Sequence, residues 1–289
     1  MHGRVVLVTG GNAGIGKETA VGLAAKGATV AITARDATRG AAALKEIRER
    51  TQRSDDGLAV MALDLASFAS IRAFAADFLD RYDRLDVLIN NAGLVLQRRQ
   101  ETVEGFEMTF GVNHLGHFLL ADLLLDRIRA SAPARIVNVS SHAHKGARHG
   151  LDFDDLQSTR HYRGFAVYSK TKLANILFTR ELARRLDGTG VTANALHPGF
   201  VASRFGRDGD TGRLGDLAMV FIRPFAINSA QGARTSIYLA SSPDVDGITG
   251  QYWYKCALST PSRAAQDDDA AHRLWAVSEQ LIASVDAGA

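Results

Sequence analysis

Short apolar segments alternate with helical patterns along nearly the whole chain. The apolar segments, each a predicted strand, are VVLVT (5–9), TVAIT (29–33), LAVMAL (58–63), LDVLIN (85–90), RIVNVS (135–140), GVTANAL (190–196) and GQYWY (250–254). Helical spacing predicts helices over 15–26, from the second strand to about 53, and over 68–79, 106–129, the region around Tyr168, and 232–240. Strands that are apolar throughout are typical of a parallel sheet covered on both faces. With right-handed crossovers, this order predicts an α/β doubly wound parallel sheet of about seven strands.

No repeat or low-complexity linker divides the 289 residues, so we predict one Rossmann-type domain over 1–289. The net charge is +3 with basic and acidic residues interspersed, which gives no indication of nucleic-acid binding. No apolar window has the length of a membrane span and no targeting segment precedes the first strand, so we expect a cytoplasmic protein without a membrane anchor. The lone Cys256 excludes an internal disulfide framework.

Two irregular segments, about 142–164 and 203–228, interrupt the alternation. Each follows the carboxyl end of a predicted strand, the edge where ligands bind in this architecture. Long loops at that edge are usually functional, so both are predicted substrate loops. The second segment is rich in apolar residues, which belong either to an ordinary helical core or to a lid over a lipophilic substrate: Phe205, Met219, Val220, Phe221, Ile222 and Phe225.

The first predicted strand runs into TGGNAGIG (9–16), a glycine-rich turn before a helix. Gly10 suits a tight turn, Gly14 lets the backbone approach a pyrophosphate, and Gly16 allows close packing of helix on strand. Asn12 and Ile15 lie between these glycines and complete the predicted binding turn. The helix amino terminus would then present free N–H groups to an anion, so the sequence predicts a dinucleotide site.

The second strand ends in Ala34-Arg35-Asp36. An acidic residue at this tip would bind a ribose 2′-hydroxyl, whereas an arginine accepts a 2′-phosphate. Because Ala34 occupies the place of the acid and Arg35 follows it, we expect NADP rather than NAD. The alternative interpretation is a surface pair of Arg35 and Asp36 at the start of a helix.

Further candidates follow the third and fourth strands. Asp64 and Leu65 lie after the third strand, where Asp64 either accepts from the adenine amino group or caps the next helix. Asn90, Ala92 and Gly93 of NNAG follow the fourth strand, either as a wall that lets the backbone approach the cofactor or as a plain turn.

YSKTK places Tyr168 and Lys172 four residues apart, on one face of a helix. A neighbouring ammonium would lower the pKa of the phenol from about 10, so that Tyr168 exchanges protons near neutrality. The alternative is an ordinary pair on a half-exposed helix face.

Taken in order, TGGNAGIG, Asp64, NNAG, the Asn113 of GVNHLGHF, the serine pair of RIVNVSS, YSKTK and HPG (197–199) resemble the short-chain dehydrogenase/reductase family. The resemblance covers about residues 4–255. VNHLGHFLL and RLWAVSEQL look most like its retinol dehydrogenase-like branch, which includes relatives of protochlorophyllide reductase. TARDATRG is similar to the NADP-dependent carbonyl reductases.

The resemblance implies a catalytic tetrad of Asn113, Ser141, Tyr168 and Lys172. In it Tyr168 is the general acid and base, and Ser141 donates a hydrogen bond to the substrate oxygen. Lys172 binds the nicotinamide ribose and, together with the positive ring of oxidised cofactor, stabilises the phenolate. Asn113 holds a water in a proton path to Lys172.

The resemblance also implies that Pro198, Gly199 and Val201 line the nicotinamide, with Ser203 standing where the family often has threonine. The 27 residues from Ser141 to Tyr168 exceed the interval of the shortest members, which sets this chain apart in its substrate loop. The family often forms dimers or tetramers, so a homodimer or homotetramer is implied.

These expectations combine into an NADP(H)-dependent oxidoreductase that acts on CH–OH donors and interconverts a carbonyl and an alcohol on a lipophilic small molecule. The alternatives are a double-bond reductase of the protochlorophyllide reductase type and a catalytically silent NADP(H) sensor. Four histidines raise the question of a metal: His142, His144, His149 and His161. No carboxylate or cysteine stands at ligand spacing within the SHAHKGARHG run and the family needs no metal, so we predict none.

Overall fold

The computed structural model describes residues 1–53, 57–200 and 227–287. Its strands are β1 (Val5–Val8), β2 (Thr29–Ala34), β3 (Leu58–Ala62), β4 (Val87–Asn90), β5 (Ala134–Val139), β6 (Val191–His197), β7 (Tyr252–Tyr254) and β8 (Ala257–Leu258). They form one sheet in the order β3-β2-β1-β4-β5-β6-β7-β8. Strands β1 to β7 pair in parallel, which confirms the doubly wound architecture.

In the part of the chain that the structure describes, the sheet has eight strands, one more than the sequence predicted. The additional strand, β8, is two residues long and pairs antiparallel with β7. Lys255 and Cys256 connect the two strands with φ of 52° and 60°, the left-handed backbone that a tight turn requires. A strand of two residues is too short to carry a periodic pattern, so it could not be predicted from periodicity.

The helices lie between the strands as the alternation predicted, with ends that differ by only a few residues. They are α1 (Gly14–Ala25), α2 (Ala37–Thr51), α3 (Phe68–Arg81), α4 (Met108–Phe110), a π-turn (Gly111–Leu115), α5 (Gly116–Ala130), α6 (Gly164–Arg185), α7 (Ser229–Ser241) and α8 (Asp268–Asp286). Two features differ from the predicted pattern. The single helix expected over 106–129 is interrupted by the π-turn, and α8 was not predicted as an element.

Strand β1 shows why the apolar runs have no alternation. Leu7 packs into the core that α3, α5 and α6 cover, whereas Val6 and Val8 pack into the opposite core beneath α1, α2 and α7. All three side chains have no exposed surface. A strand buried on both faces needs an apolar residue at every position, which is the pattern read from the sequence.

Helix α8 packs across α6 on the outside of the first core. Trp275 lies against Phe118 and Phe178, with ring centroids 4.7 and 5.8 Å away. Arg180 of α6 and Asp268 of α8 form an ion pair at 2.6 Å. Within the described residues, no helix is both long enough and apolar enough to cross a bilayer.

The carboxyl edge of the parallel strands collects the motifs of the sequence. The glycine turn follows β1, NNAG ends β4, the serine pair ends β5 and HPG ends β6. The first predicted substrate loop begins with a 3₁₀ turn over His142–Gly146 and leads into α6. Of the second predicted loop, 203–228, only residues 227 and 228 lie within the described ranges, and all six apolar residues considered as a lid lie outside them.

Candidate active site

The glycine turn between β1 and α1 leaves room for a ligand backbone. Gly10 and Gly14 have φ of +64° and +54°, which favours glycine at both positions. A Cβ on Gly16 would lie 2.5 Å from the carbonyl oxygen of Gly10 and from Nδ2 of Asn91, so the predicted close packing is present. Ala13, the N-cap of α1, has no side chain that could accept from the first backbone N–H groups of the helix. These N–H groups are therefore available to another acceptor, such as a ligand. The polypeptide thus fits a dinucleotide phosphate at this turn.

Thr9 ties the glycine turn to NNAG. Its hydroxyl oxygen accepts from the backbone N–H of Asn91 at 2.9 Å and of Ala92 at 3.0 Å. Nδ2 of Asn91 donates back to the carbonyl oxygen of Thr9 at 2.8 Å. NNAG is therefore more than a plain turn. Sequence reasoning missed both Thr9 and Asn91, although both stand inside motifs that it had singled out.

The side chain of Asn90 does not line the predicted cofactor wall. It is buried, and its Nδ2 donates to Oδ1 of Asn138 at 2.8 Å, which links β4 to β5 inside the sheet. Only the backbone of Asn90 remains for the predicted role. Gly93, in contrast, lies against the tetrad: a Cβ there would be 3.2 Å from Oδ1 of Asn113 and 3.4 Å from Nζ of Lys172.

Asn113 lies in the π-turn, and both its amide oxygen and its amide nitrogen are hydrogen-bonded. Its Oδ1 accepts from the N–H of Leu94 at 2.8 Å, and its Nδ2 donates to the carbonyl oxygen of Leu94 at 2.9 Å. Nδ2 also donates to Oγ1 of Thr171 at 3.1 Å, and Thr171 donates to the carbonyl oxygen of Tyr168 at 2.8 Å. Both N–H groups of the amide are therefore used, so a water on the predicted proton path would bind either the second lone pair of Oδ1 or the main-chain carbonyl of Asn113.

The two serines at the end of β5 have different partners. Ser140 is buried and donates to the carbonyl oxygen of Lys172 at 2.7 Å. The side chain of Ser141 instead hydrogen-bonds to Tyr168, and it accepts from the N–H of Ala143 at 3.1 Å at the start of the 3₁₀ turn. The structure therefore brings Ser141, the serine chosen from the sequence, together with the tyrosine.

Tyr168 and Lys172 share a face of α6, with Nζ of Lys172 5.6 Å from the centre of the tyrosine ring. Burial raises the pKa of Tyr168 to about 12, against a smaller lowering by the hydrogen bond from Ser141. Burial also lowers the pKa of Lys172 to about 8, and its Nζ donates to the carbonyl oxygen of Val139 at 3.0 Å. The expectation that the pKa of the phenol is lowered was wrong for the polypeptide alone, because desolvation of the buried phenol raises it.

The tips of β2 and β3 hold the remaining cofactor candidates. Arg35 is exposed, while the Asp36 carboxylate caps α2 by accepting from the N–H of Arg39 at 2.8 Å. Oδ1 of Asp64 accepts from the N–H of Ala66 at 3.0 Å, but Ser67 is the residue that caps α3, so the helix-cap alternative for Asp64 was wrong.

The side chain of Leu65 is buried in the core under α3 and α5, which leaves only its backbone for a cofactor contact. Pro198 and Gly199 follow β6 at the same edge, and Gly199 has a φ of +98°. The predicted contacts of Val201 and Ser203 fall outside the described residues.

The histidines of the first loop pack against the site. The ring of His142 stacks on His197 at 3.9 Å, and its backbone N–H donates to Nδ1 of His197 at 3.2 Å. Nε2 of His144 accepts from the N–H of Ser262 at 3.0 Å, so its Nδ1–H donates to the carbonyl oxygen of Ser141 at 2.6 Å. His144 therefore anchors the backbone of the predicted catalytic serine. Across the described ranges, no group of three or more potential ligands is arranged for a metal ion.

Comparison with known proteins identifies the family. A sequence profile described as short chain dehydrogenase matches residues 4–152 and 155–212. The chain belongs to the short-chain dehydrogenase family. It is 46% identical over 291 residues to retinol dehydrogenase 14 of Mus musculus, covering 98% of this chain and 86% of that protein. It is 48% identical to retinol dehydrogenase 12 of Homo sapiens over 283 residues, with coverage of 98% and 87%.

Solved structures of the family have the same fold. An uncharacterised protein from Mycobacterium paratuberculosis superposes with a TM-score of 0.75 at 36% identity, covering 97% of this chain and 93% of that one. The Pseudomonas aeruginosa RhlG/NADP active-site complex gives a TM-score of 0.69 at 29% identity, with coverage of 87% and 94%. The chain is thus a retinol dehydrogenase-like oxidoreductase of a family that binds a nicotinamide dinucleotide and acts on small molecules.

Proposed function

We propose that the protein is an NADP(H)-dependent oxidoreductase that interconverts a carbonyl and an alcohol on a lipophilic small molecule, with Tyr168 as general acid and base. The observation that carries the proposal is the set of contacts around Tyr168. Ser141 hydrogen-bonds to it, Lys172 lies one helical turn away, and Asn113 supports its backbone through Thr171.

In the reductive direction the chain supplies a proton and holds the substrate. The nicotinamide, when bound, supplies the hydride to the carbonyl carbon. Tyr168, whose pKa is about 12 in the polypeptide, is a neutral phenol at physiological pH and gives its proton to the substrate oxygen. Ser141 donates a hydrogen bond to the same oxygen and fixes its position. Lys172 would donate to the nicotinamide ribose.

Oxidation of an alcohol needs the phenol in the deprotonated form. Burial opposes that form, so a compensating positive charge is required. Lys172 supplies one charge 5.6 Å from the ring centre, and oxidised cofactor, when bound, would add the charge of its nicotinamide ring. The direction of proton transfer is therefore coupled to the oxidation state of the bound cofactor.

The preference for NADP rests on the tip of β2. Arg35 is exposed there, and the carboxylate of Asp36 is committed to the cap of α2 rather than to a ribose hydroxyl. An arginine presents several donors to a phosphate, whereas a free acidic side chain would repel it. The NADP complex of the related RhlG protein agrees with this choice.

The proposal of a lipophilic substrate rests on Phe165. This residue is one turn before Tyr168 on α6, its ring centre is 6.2 Å from that of Tyr168, and it remains 64% exposed. A large apolar side chain exposed beside a catalytic residue is well suited to contact an apolar substrate. The names of the similar retinol dehydrogenases are consistent with such a substrate.

The first experiment follows NADPH oxidation by absorbance with a panel of aldehydes, ketones and quinones. Wild type and Tyr168→Phe are compared, and NADPH binding is measured separately for each. We expect turnover of apolar carbonyls by wild type, and loss of turnover with retained NADPH affinity in the variant. Turnover by Tyr168→Phe at the wild-type rate would refute the acid role. Tight NADPH binding without turnover in wild type would favour a double-bond reductase or a silent sensor.

A further inference from the structure

A second histidine of GVNHLGHF lies behind the candidate site. His117 stands in the first turn of α5, and only 3% of its surface is exposed. Its Nε2 is 3.0 Å from Oγ1 of Thr9, and its Nδ1 is 3.3 Å from the carbonyl oxygen of Asn113. One imidazole thus touches the residue before the glycine turn and the asparagine of the π-turn.

The hydrogen bonds of Thr9 determine which nitrogen of His117 carries the proton. The hydroxyl of Thr9 already accepts from the N–H groups of Asn91 and Ala92, which occupy its two lone pairs. Its single hydrogen has two acceptors within reach, the carbonyl oxygen of Ile89 at 3.3 Å and Nε2 of His117 at 3.0 Å. Because an Nε2–H would find no lone pair left on Thr9 and Nε2 is the nearer acceptor, we assign the hydrogen bond from this hydrogen to Nε2. Nδ1 then bears the hydrogen and donates to the carbonyl oxygen of Asn113, so both contacts are satisfied by one neutral tautomer.

A charged imidazolium would not fit this arrangement. Its Nε2–H would compete with Asn91 and Ala92 for the lone pairs of Thr9. The surroundings also disfavour the charge: burial lowers the pKa of His117 to about 4, against the opposing effect of the Asn113 carbonyl, and Lys172 lowers it further. The ring is accordingly neutral near pH 7.

The two contacts of His117 belong to different parts of the site. Thr9 holds the NNAG backbone against the glycine turn, which is the side predicted to bind the dinucleotide. Asn113 holds Leu94 and, through Thr171, the backbone of Tyr168, which is the side of the proton transfer. No other role for His117 emerged from the motifs of the sequence.

We propose that His117 is a positioning residue that connects the dinucleotide side of the site to its catalytic side, accepting from the Thr9 hydroxyl through Nε2 and donating to the Asn113 carbonyl through Nδ1. This inference rests on the function proposed above. The contacts of Nε2 and Nδ1 are expected to affect different properties of the protein. Loss of the Thr9 contact loosens NNAG and weakens NADPH binding. Loss of the Asn113 contact displaces the support of Tyr168 and slows turnover.

Two substitutions remove one contact each. In His117→Asn the shorter amide retains a donor near the position of Nδ1 but does not reach Thr9. In His117→Gln the longer amide places an acceptor near the position of Nε2 but leaves the Asn113 carbonyl without its donor. Because a lost hydrogen bond changes an equilibrium or rate by about tenfold, each effect is measurable.

The experiment measures the NADPH dissociation constant by cofactor fluorescence and kcat for the best carbonyl of the panel. We expect His117→Asn to weaken NADPH binding about tenfold with kcat within about threefold of wild type. We expect the reverse for His117→Gln: kcat about tenfold lower and NADPH affinity within about threefold of wild type. Equal losses of both parameters in both variants, or no loss in either, would overturn the proposal.

The tautomer gives a test that does not depend on the folding of both variants. Nitrogen NMR of isotopically labelled histidine distinguishes a protonated Nδ1 from a protonated Nε2, and the His117 signal is assigned by its absence from whichever variant folds. A neutral ring protonated at Nδ1 supports the proposal, and protonation at Nε2 contradicts it. If wild type turns over no carbonyl, the proposed function fails, while the binding comparison and the tautomer still decide the Thr9 contact.

Discussion

Replacing Lys172 by methionine tests the electrostatics of the site through stability rather than activity. The side chain is 3% exposed, and burial lowers its pKa from 10.5 to about 8. That difference of about 2.5 units, at 1.36 kcal/mol each, means that the folded state carries a cost of about 3 kcal/mol for holding the ammonium. Methionine removes the cost but also the hydrogen bond to the Val139 carbonyl, worth about 1 kcal/mol. Near pH 7, Lys172→Met should therefore be more stable than wild type by about 2 kcal/mol.

The stability difference between Lys172→Met and wild type depends on pH because folding lowers the pKa of Lys172. Because the folded pKa lies below the unfolded one, the cost is complete below pH 8, shrinks between about 8 and 10.5, and vanishes above that range. Near pH 9.5 more than half of this cost is gone, and the lost hydrogen bond nearly offsets what remains. For a chain of this length the expected gain in Tm is about 4 °C near pH 7 and about zero near pH 9.5.

The assay is thermal unfolding of wild type and variant at several pH values in this interval. Lys170→Met is the matched control, since it removes a partly exposed lysine from the same helix. We expect its Tm difference from wild type to be small and flat with pH. A Tm difference for Lys172→Met that does not change between pH 7 and pH 9.5 would refute the reasoning, because it would show that the buried ammonium carries no desolvation cost. Turnover should be lost in the variant at every pH.

Three further substitutions address the cofactor and the substrate. Arg35→Glu should weaken NADPH binding at least tenfold and leave NADH affinity unchanged, and an equal loss for both cofactors in a titration would contradict the role of Arg35. Gly16→Ala forces a methyl group to within 2.5 Å of the Gly10 carbonyl, so we expect a loss of about 2 kcal/mol in chemical denaturation together with weaker NADPH binding; an unchanged midpoint would argue against the close packing. Phe165→Ser should raise KM for long-chain aldehydes several-fold while leaving short ones unaffected, and a uniform change across chain lengths would remove Phe165 from substrate contact.

The sequence predicted the sheet and the order of its motifs because both depend on local periodicity. Apolar runs, glycine spacing and the four-residue interval of Tyr168 and Lys172 are short-range features, and the structure places them where the pattern predicts. The side-chain partners were not predictable in this way. Asn90 donates to Asn138 across 48 positions of sequence, and spacing along the chain carries no information about such a pair.

The pKa of Tyr168 is a second property that could not be predicted from spacing along the chain. The sequence places a cation one turn away, which by itself favours the phenolate. Whether the cation prevails depends on how completely water is excluded from the phenol, and that is decided by elements packed around α6 rather than by α6 itself. Burial dominates in the structure, so the pKa of Tyr168 rises and that of Lys172 falls.

The π-turn carrying Asn113 depends on contacts from distant parts of the chain. A π-turn is a rare interruption of an α-helix and is often found at functional sites. Here, His114 donates through Nε2 to Ser278 of α8 at 2.8 Å, and His117 contacts Thr9 beside the glycine turn. The π-turn and the residues that follow it are thus hydrogen-bonded to α8 on one side and to the end of β1 on the other. Asn113 owes its position to these packed neighbours, which explains why α8, remote from the cofactor motifs in sequence, belongs to the architecture of the site.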